Sequence, residues 1–513
     1  MFAFAVWDAG RRRLLLARDR MGEKPLYYHA GGGAFVFGSE LRALLEHPAV
    51  PRALSLPGLA RYLAFEYVPA PHSILAEVVK LPPAHTLTVS ADGTSRLAAY
   101  WRPSFAATEG VDEREWAARV VGALERSVEQ CMVSDVPLGV FLSGGVDSSA
   151  VAGIAARLRG RQRLDTFSLG FVEPTYDERA HARSVARHFG TAHHEVLFSG
   201  DDAVASMEKA GDLFDEPLVD PSFLPFHFLS SAARQTVTVA LSGDGGDEVF
   251  CGYPTFIAEK AASWVRRVPG PLRRVATAAV TALPPSTAYG SPTLLLKQFF
   301  RGLPYPRAVR TQLLLGGLTG EERDALLTAP VRAACAGIDP YEELSRTMAA
   351  RSRATPLDEL IDQHYQYYLA NQNLVMTDRA SMRCGLEVRA PFLDHALVDL
   401  AGRIPGPLKL RGVTTKYILK RALRGLVPPD ILRRRKQGFG VPIGTWLRGP
   451  LRPMLEDRLA PGRVARVGLF QADRVSRLVQ EHLAGAHDHR KILWSLLVFD
   501  VWREEYLPQV RWT

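Results

Sequence analysis

The densest chemistry in the chain lies in seven consecutive residues, Ser143-Gly144-Gly145-Val146-Asp147-Ser148-Ser149. Two glycines let a backbone approach a ligand closely, and three hydroxyls supply hydrogen-bond donors. Asp147 adds a carboxylate, which is welcome beside phosphates only if a bound cation offsets its charge. The apolar run Leu138 to Leu142 before the string reads as a buried strand. The residues after it, Ala150 to Leu158, place Val151, Ile154, Ala155 and Leu158 on one helical face. Strand, glycine-rich turn and helix N-terminus together make a pocket for phosphate, because free N–H groups and the helix dipole favour negative charge. The plainer alternative is a Ser/Gly-rich turn that only caps a helix. The Walker arrangement, Gly-x4-Gly-Lys-Ser/Thr, does not occur.

A second polar loop, Ser242-Gly243-Asp244-Gly245-Gly246-Asp247-Glu248, follows another apolar run, Val237 to Leu241. Between residues 115 and 255 helical and strand patterns alternate: helices over 113–130 and 181–189, strands over 165–171 and 194–198. That alternation predicts a parallel, doubly wound sheet with right-handed crossovers. Ligands sit at the carboxyl ends of strands in such sheets, so both polar loops are expected to face one site. Residues 1 to 105 read as β-rich, with hairpin signals at Asp8 to Arg11, at Gly31 to Gly33 and at Ala91 to Gly93, a short helix over 39–45 and a proline-rich stretch over 69–83. Residues 256 to 360 read as a helical insertion. From Pro356 onward the pattern is helical with polar clusters around Asp378, Glu387 and Lys436. His193 and His194 are adjacent on a strand and point to opposite faces, which makes them structural rather than a shared metal site.

The bulk of the sequence bounds the function class. Its 513 residues suffice for two domains or more, and 47% hydrophobic with 23% charged residues is ordinary for a globular protein. Cys131, Cys251, Cys335 and Cys384 are far apart, which argues against a zinc-binding pair or a disulfide framework and fits a cytoplasmic protein. The net charge of +9 is scattered, with short runs only at Arg11 to Arg13 and Arg433 to Lys436, so a nucleic-acid partner is not expected. No apolar run approaches a membrane span, and the first residues lack the basic start of a signal peptide.

The string Ser143 to Ser149 resembles the PP-loop of the N-type ATP pyrophosphatases. With Leu241 to Glu248, Asp378 to Asp394 and Lys436 to Pro442, in that order, the chain resembles class B, glutamine-dependent asparagine synthetase. Phe2 to Asp8, Ala17 to Arg20, Lys24 to Tyr28 and Phe37 to Glu40 resemble the second half of that family's glutaminase domain. The resemblance implies an α/β fold: a C-terminal doubly wound parallel sheet with a PP-loop and helical additions over 113–513, preceded by an incomplete α+β (Ntn-type) glutaminase domain over 1–105. Family members carry a nucleophilic cysteine directly after the initiator Met, and this sequence has none there. The chain as written is therefore not expected to hydrolyse glutamine: either Met1 is an internal residue of a longer protein, the favoured reading, or a separate piece completes the domain, or the enzyme uses free ammonia.

The implied reaction is ATP-dependent amidation of aspartate through aspartyl-AMP, with ammonia or glutamine as nitrogen source and ATP and Mg2+ as cofactors. Carried over residue by residue, Asp147 and Asp247 are Mg2+ ligands. Leu142, Ser143, Gly144, Gly145, Asp147, Ser148, Ser149, Leu169, Ser242 and Gly243 contact the nucleotide. Lys436 neutralises charge at the α-phosphate, and Asp244, where some members carry Glu, assists ammonia. Asp378, Arg379 and Glu387 line or brace the aspartate pocket; alternatively Arg379 and Glu387 form a buried ion pair. A homodimer is compatible with the resemblance, and no membrane partner is implied. Three other readings stay open at this point: a different carboxylic-acid acceptor, a PP-loop enzyme acting on tRNA, and a non-catalytic remnant that binds a partner.

Overall fold

A computed structural model of the chain describes residues 1–108, 110–284, 290–350 and 355–512. The N-terminal part carries seven strands: β1 (Ala3–Asp8), β2 (Arg13–Arg18), β3 (Tyr27–Gly31), β4 (Ala34–Gly38), β5 (Val78–Lys80), β6 (His85–Ser90) and β7 (Ser95–Ala99). They form two antiparallel sheets, ordered β1-β2-β6-β7 and β4-β3-β5. The three expected hairpins are present, joining β1 to β2, β3 to β4 and β6 to β7. The turn between β3 and β4 holds Gly32 and Gly33 at φ of 58° and 76°, the left-handed pair that a tight hairpin needs. β1 lies at a sheet edge and leaves Phe4, Val6 and Trp7 exposed, Trp7 at 57%.

Two N-terminal elements lack a clear sequence signal. The helix Leu56–Phe65 is apolar nearly all round, so it shows little period; it is buried along almost its whole length and capped by the Ser55 side chain, which accepts from the Gly58 N–H at 3.0 Å. β5 sits inside the proline-rich stretch and is only three residues long.

Five parallel strands follow: β8 (Leu138–Phe141), β9 (Asp165–Phe171), β10 (Ala192–Phe198), β11 (Val239–Leu241) and β12 (Glu387–Arg389), in the order β10-β9-β8-β11-β12. Helices Val146–Arg159 and Arg179–Phe189 cross over on the β10 side. The chain therefore reverses its direction of travel across the sheet between β8 and β11, which are hydrogen-bonded neighbours with Leu241 opposite Val140. A crevice opens at such a switch point, and the two polar loops leave the sheet there. β11 begins two residues later than the apolar run suggests. The segment after Pro356, read as helical, contains β12: with one buried residue, Val388, between two charged ones it is too short to show a period. The described residues between 256 and 350 are mostly helical, as expected, in helices that include Pro254–Val265, Gly270–Thr281, Pro292–Gly302 and Arg307–Leu315.

The last helix, Arg490–Tyr506, ties the two parts together. It buries Trp494, Phe499 and Trp502 in the same apolar cluster as Leu59, Tyr62 and Phe65 of the N-terminal helix. Its Ser495 carbonyl accepts from Tyr62 Oη at 2.8 Å, and its Trp502 Nε1 donates to the Asp215 carbonyl at 3.1 Å. The seam is also polar. Arg379 donates to Asp215 Oδ2 at 3.0 Å and to Tyr27 Oη, while Asp215 accepts the N–H groups of Leu41 and Arg42 at 2.8 and 3.0 Å. Lys80 pairs with Glu216, and Lys24 Nζ lies 2.6 Å from Asp378 Oδ1.

His364 shows how the sheet's surroundings are fixed. Its ring lies nearly parallel to those of Phe256 and Tyr253, with centroids 4.7 and 5.7 Å away, in a cluster in which those two rings also neighbour each other at 6.5 Å. Nδ1 lies 2.8 Å from the Leu360 carbonyl, so it carries the proton, and Nε2 accepts from Thr255 Oγ1 at 3.1 Å. Both nitrogens are satisfied in the neutral form, and burial lowers the pKa to about 4.

Two outcomes follow from these contacts. Because His364 takes up its proton less readily folded than unfolded, it favours unfolding as pH falls from about 6.5 to about 4. His364→Gln should flatten the loss of stability across that window in urea titrations; an unchanged pH dependence would refute the assignment. Asp215→Ala strands Arg379 and two N–H groups in the seam, and should cost about 3–5 kcal/mol. A thermal midpoint within experimental error of wild type would count against the seam as a stabilising contact.

Candidate active site

The loop Ser143 to Ser149 takes its shape from its glycines and from its own hydroxyls. Gly144 has φ 71°, and a Cβ there would lie 2.6 Å from the backbone of His181 and Ala182, so no other residue fits. Ser148 Oγ lies 3.0 Å from Ser143 Oγ and accepts from the Ser143 N–H at 3.2 Å. The following helix starts at Val146, inside the string and four residues before the apolar periodicity begins. Its first turn thus points N–H groups into the crevice beside Ser143.

The second loop packs directly on the first. A Cβ on Gly243 would meet the Ser148 nitrogen at 2.9 Å, and one on Gly246 would meet the Asp147 carboxyl at 2.6 Å. This close approach sets the carboxylates of Asp147 and Asp247 near one another. Lys416 Nζ contacts both of them, Asp147 through Oδ2 and Asp247 through Oδ1 at 2.5 Å. Lys436 Nζ lies 2.5 Å from Asp247 Oδ2. Burial would raise the pKa of Asp247, but the two ammonium groups outweigh it and bring the value down to about 2. For Asp147, burial and the neighbouring Asp247 prevail over Lys416, and the pKa is raised.

Two further carboxyls sit close by. Asp244 Oδ2 accepts from Ser242 Oγ at 3.0 Å and Thr377 Oγ1 at 3.1 Å, and burial lifts its pKa despite these bonds. Glu248 is fully buried and accepts from Tyr253 Oη at 2.8 Å; burial, then the charge of Asp247, push it to about 8. Asp147 Oδ1 and Glu248 Oε2 are buried without a hydrogen-bond partner. Buried carboxylates with open oxygens are the donor chemistry of a hard divalent cation, and Asp147 and Asp247 are the pair that could hold one in place of the lysine contacts.

These groups line one cleft of about 260 Å³. Of the residues singled out in the sequence, Leu142, Ser143, Gly145, Asp147, Ser148, Leu169, Ser242, Gly243, Asp244, Asp247 and Lys436 border it. Gly144 and Ser149 do not: Gly144 shapes the turn from behind, and Ser149 is fully buried with its hydroxyl unpaired. Leu142 and Leu169 form part of an apolar wall with Phe141 and Phe167, suited to a planar base.

Asp378, Arg379 and Glu387 lie outside the cleft wall. Asp378 pairs with Lys24 and Arg379 with Asp215. The Arg379–Glu387 ion pair is not formed, because Glu387 pairs along its own strand with Arg389 at 2.7 Å. His193 bonds Thr166 and Ser168, while His194 stacks on Phe167 and lies 2.8 Å from Asp165, in keeping with structural roles on opposite faces.

Sequence reasoning passed over Lys416, Arg434 and Glu178. Arg434 donates to the Gly144 carbonyl at 3.2 Å and pairs with Glu178, tying the Lys436 segment to the Ser143 loop. Lys416 stands alone among polar neighbours far from either loop in sequence, so spacing gave no signal; its left-handed backbone, φ 53°, marks it only in the structure.

Comparison with known proteins gives the family of the chain. The sequence model of the asparagine synthase family matches residues 106–504, and that of the glutamine amidotransferase domain matches residues 1–101. A protein of Mycobacterium bovis, provisionally named a glutamine-hydrolyzing asparagine synthetase, is 33% identical over 98% of this chain and 76% of its own length. Glutamine-hydrolyzing asparagine synthetase 1 of Bacillus subtilis is 29% identical over 99% of this chain and 79% of its own. The amidase chyE of Penicillium rubens is 26% identical over 94% and 75%. With both family models matching along nearly its whole length, the chain belongs to the asparagine synthase family of carbon–nitrogen ligases, with a glutamine amidotransferase domain ahead of the synthase domain.

Proposed function

We propose that the chain converts aspartate to asparagine with ATP through an aspartyl-AMP intermediate. The observation that carries this reading is the convergence of the Ser143 loop, the Ser242 loop and Lys436 on one cleft with buried, open carboxylate oxygens. In the first step a side-chain carboxylate oxygen of aspartate bonds to the α-phosphorus of ATP, and the bond from that phosphorus to the bridging oxygen of pyrophosphate breaks. In the second the nitrogen of ammonia bonds to the activated acyl carbon and gives up a proton, and the bond to AMP breaks.

Each residue has a place in this chemistry. The first-turn N–H groups of Val146 to Ser148 and the hydroxyls of Ser143 and Ser148 hold the departing phosphates. Asp147 and Asp247 would hold Mg2+, which screens triphosphate charge from the attacking carboxylate. Lys436, anchored on Asp247, faces the negative charge that builds at the α-phosphate. Asp244, whose pKa burial has raised, accepts a proton from the incoming nitrogen. Leu142 and Leu169 contact the adenine. Behind them, Gly144 and Ser149 shape the loop.

For the chain as given, the nitrogen source we propose is ammonia, on the state of its four thiols. Cys131 and Cys384 are pushed by burial to about 11 and Cys251 to about 12, and Cys335 is raised as well. A glutaminase nucleophile needs a thiolate near neutral pH, and none of these four thiols offers one.

The match to the fungal amidase favours one second reading, the same adenylation on a different carboxylic acid. Pyrophosphate release with a panel of acids separates the two. Release with another acid and none with aspartate would replace the asparagine assignment.

Lys436→Ala should lower aspartate-dependent pyrophosphate release by about 10²–10³-fold, the usual effect of removing one preorganised charge contact. Asp244→Asn should leave ATP–pyrophosphate exchange largely intact and lower asparagine formation by about 10²–10⁴-fold. Equal loss of both activities in Asp244→Asn would remove it from the ammonia step. With wild type, asparagine should form from ammonium and not from glutamine; formation from glutamine would show that another group supplies the nucleophile.

A further inference from the structure

The connection between the last two helices carries a cluster that the synthase chemistry leaves unused. Glu481 lies near the end of the helix Ala472–Leu483, and His487 and His489 lie in the turn before Arg490–Tyr506. Glu481 Oε2 is 2.6 Å from His489 Nε2. One ligand atom from each of Glu481, His487 and His489 falls within 4.8 Å of the other two. The two imidazole rings lie nearly parallel, at 17°, with centroids 5.7 Å apart. Among the described residues this is the one group of three His, Cys, Asp or Glu side chains so arranged.

From this geometry we propose that Glu481, His487 and His489 bind a single zinc-class divalent cation. Two imidazoles and a carboxylate are the ligand set that suits zinc, nickel or copper rather than magnesium or calcium. Three protein ligands leave a coordination position for water. Ligation through His489 Nε2 moves that nitrogen's proton to Nδ1, and the Glu481 contact gives way to the metal.

The turn is built before any ion arrives. The His487 N–H donates to the Glu481 carbonyl at 3.2 Å, and the His489 N–H donates to Nδ1 of the fully buried His482 at 3.2 Å. Arg448 donates to the His482 carbonyl at 2.8 Å and to that of His487 at 3.5 Å. The backbones of the ligands are therefore held, which lowers the ordering cost of binding. The nearby positive charges are accommodated: Arg448 is spent on these carbonyls, and Arg490 is paired with Asp488. Arg474 acts on Glu481 only at longer range.

The position gives the ion something to act on. Arg490 packs against Gly444, where a Cβ would lie 2.9 Å from its Nε, and Gly444 sits in the helix Ile443–Trp446, three residues after the Lys436 to Gly440 wall of the cleft. An ion at Glu481, His487 and His489 thus pins the turn that backs this wall.

The test uses the full chain without a histidine tag, stripped with chelator and titrated with ZnCl2 by calorimetry. Wild type should take up one more equivalent of Zn2+ than His487→Ala, and Zn2+ should raise the thermal midpoint of wild type only. Mg2+ in excess should not displace that equivalent. His487 is exposed, so its variant is expected to keep wild-type circular dichroism. If it does not, Co2+ added to wild type decides, by the visible bands of imidazole-ligated cobalt. Equal zinc uptake by wild type and a folded His487→Ala, displacement by Mg2+, or absence of those bands would overturn the proposal.

Discussion

Two carboxylates brought together out of water repel each other, and this constraint governs the cleft. Asp147 and Asp247 come from loops on adjacent parallel strands, and glycines at 243 and 246 let those loops touch. Without a cation between them the approach would be strongly unfavourable. Lys416 supplies that charge, reaching in from a left-handed residue ahead of the helix Tyr417–Ala422. Lys436 completes the neutralisation from the opposite wall. Sheet order, glycine spacing and the conformation at residue 416 are therefore one solution to one electrostatic problem. The positive charge that the two carboxylates require is thus already supplied by side chains of the chain itself.

The same reasoning applies to the seam between the antiparallel sheets and the parallel one. Arg379, Asp215, Lys24, Asp378, Lys80 and Glu216 are charged groups at least partly withdrawn from water, and each has an opposite partner across or along the seam. An apolar seam would hold the parts together as firmly. Charged pairs in addition fix their register, since a shifted packing leaves charges unpaired. The helix Arg490–Tyr506 supplies the apolar share of the contact.

Much of this was legible in the sequence, and the rest was hidden for definite reasons. The alternation of strands and helices over 115–255 gave the doubly wound sheet, because buried parallel strands leave apolar runs and crossovers leave a helical period. The two polar loops and their meeting at one site followed from the topology. β12 was not legible, since three residues carry no period. Arg379 and Glu387 were candidates for a mutual pair because an unpaired buried charge is costly; the fold places each beside a different partner. Lys416 and Arg434 escaped notice because their partners lie 269 and 256 residues away in sequence, and long-range electrostatics has no local signature.

The first strand has a consequence for handling the protein. β1 is a sheet edge with unpaired backbone groups, and Phe4, Val6 and Trp7 project from it into solvent. The charges nearest this edge lie at its end, in Asp8 and the run Arg11 to Arg13, and no proline interrupts the strand. An inward-facing lysine placed in that strand is the kind of change by which natural edge strands resist pairing with other chains.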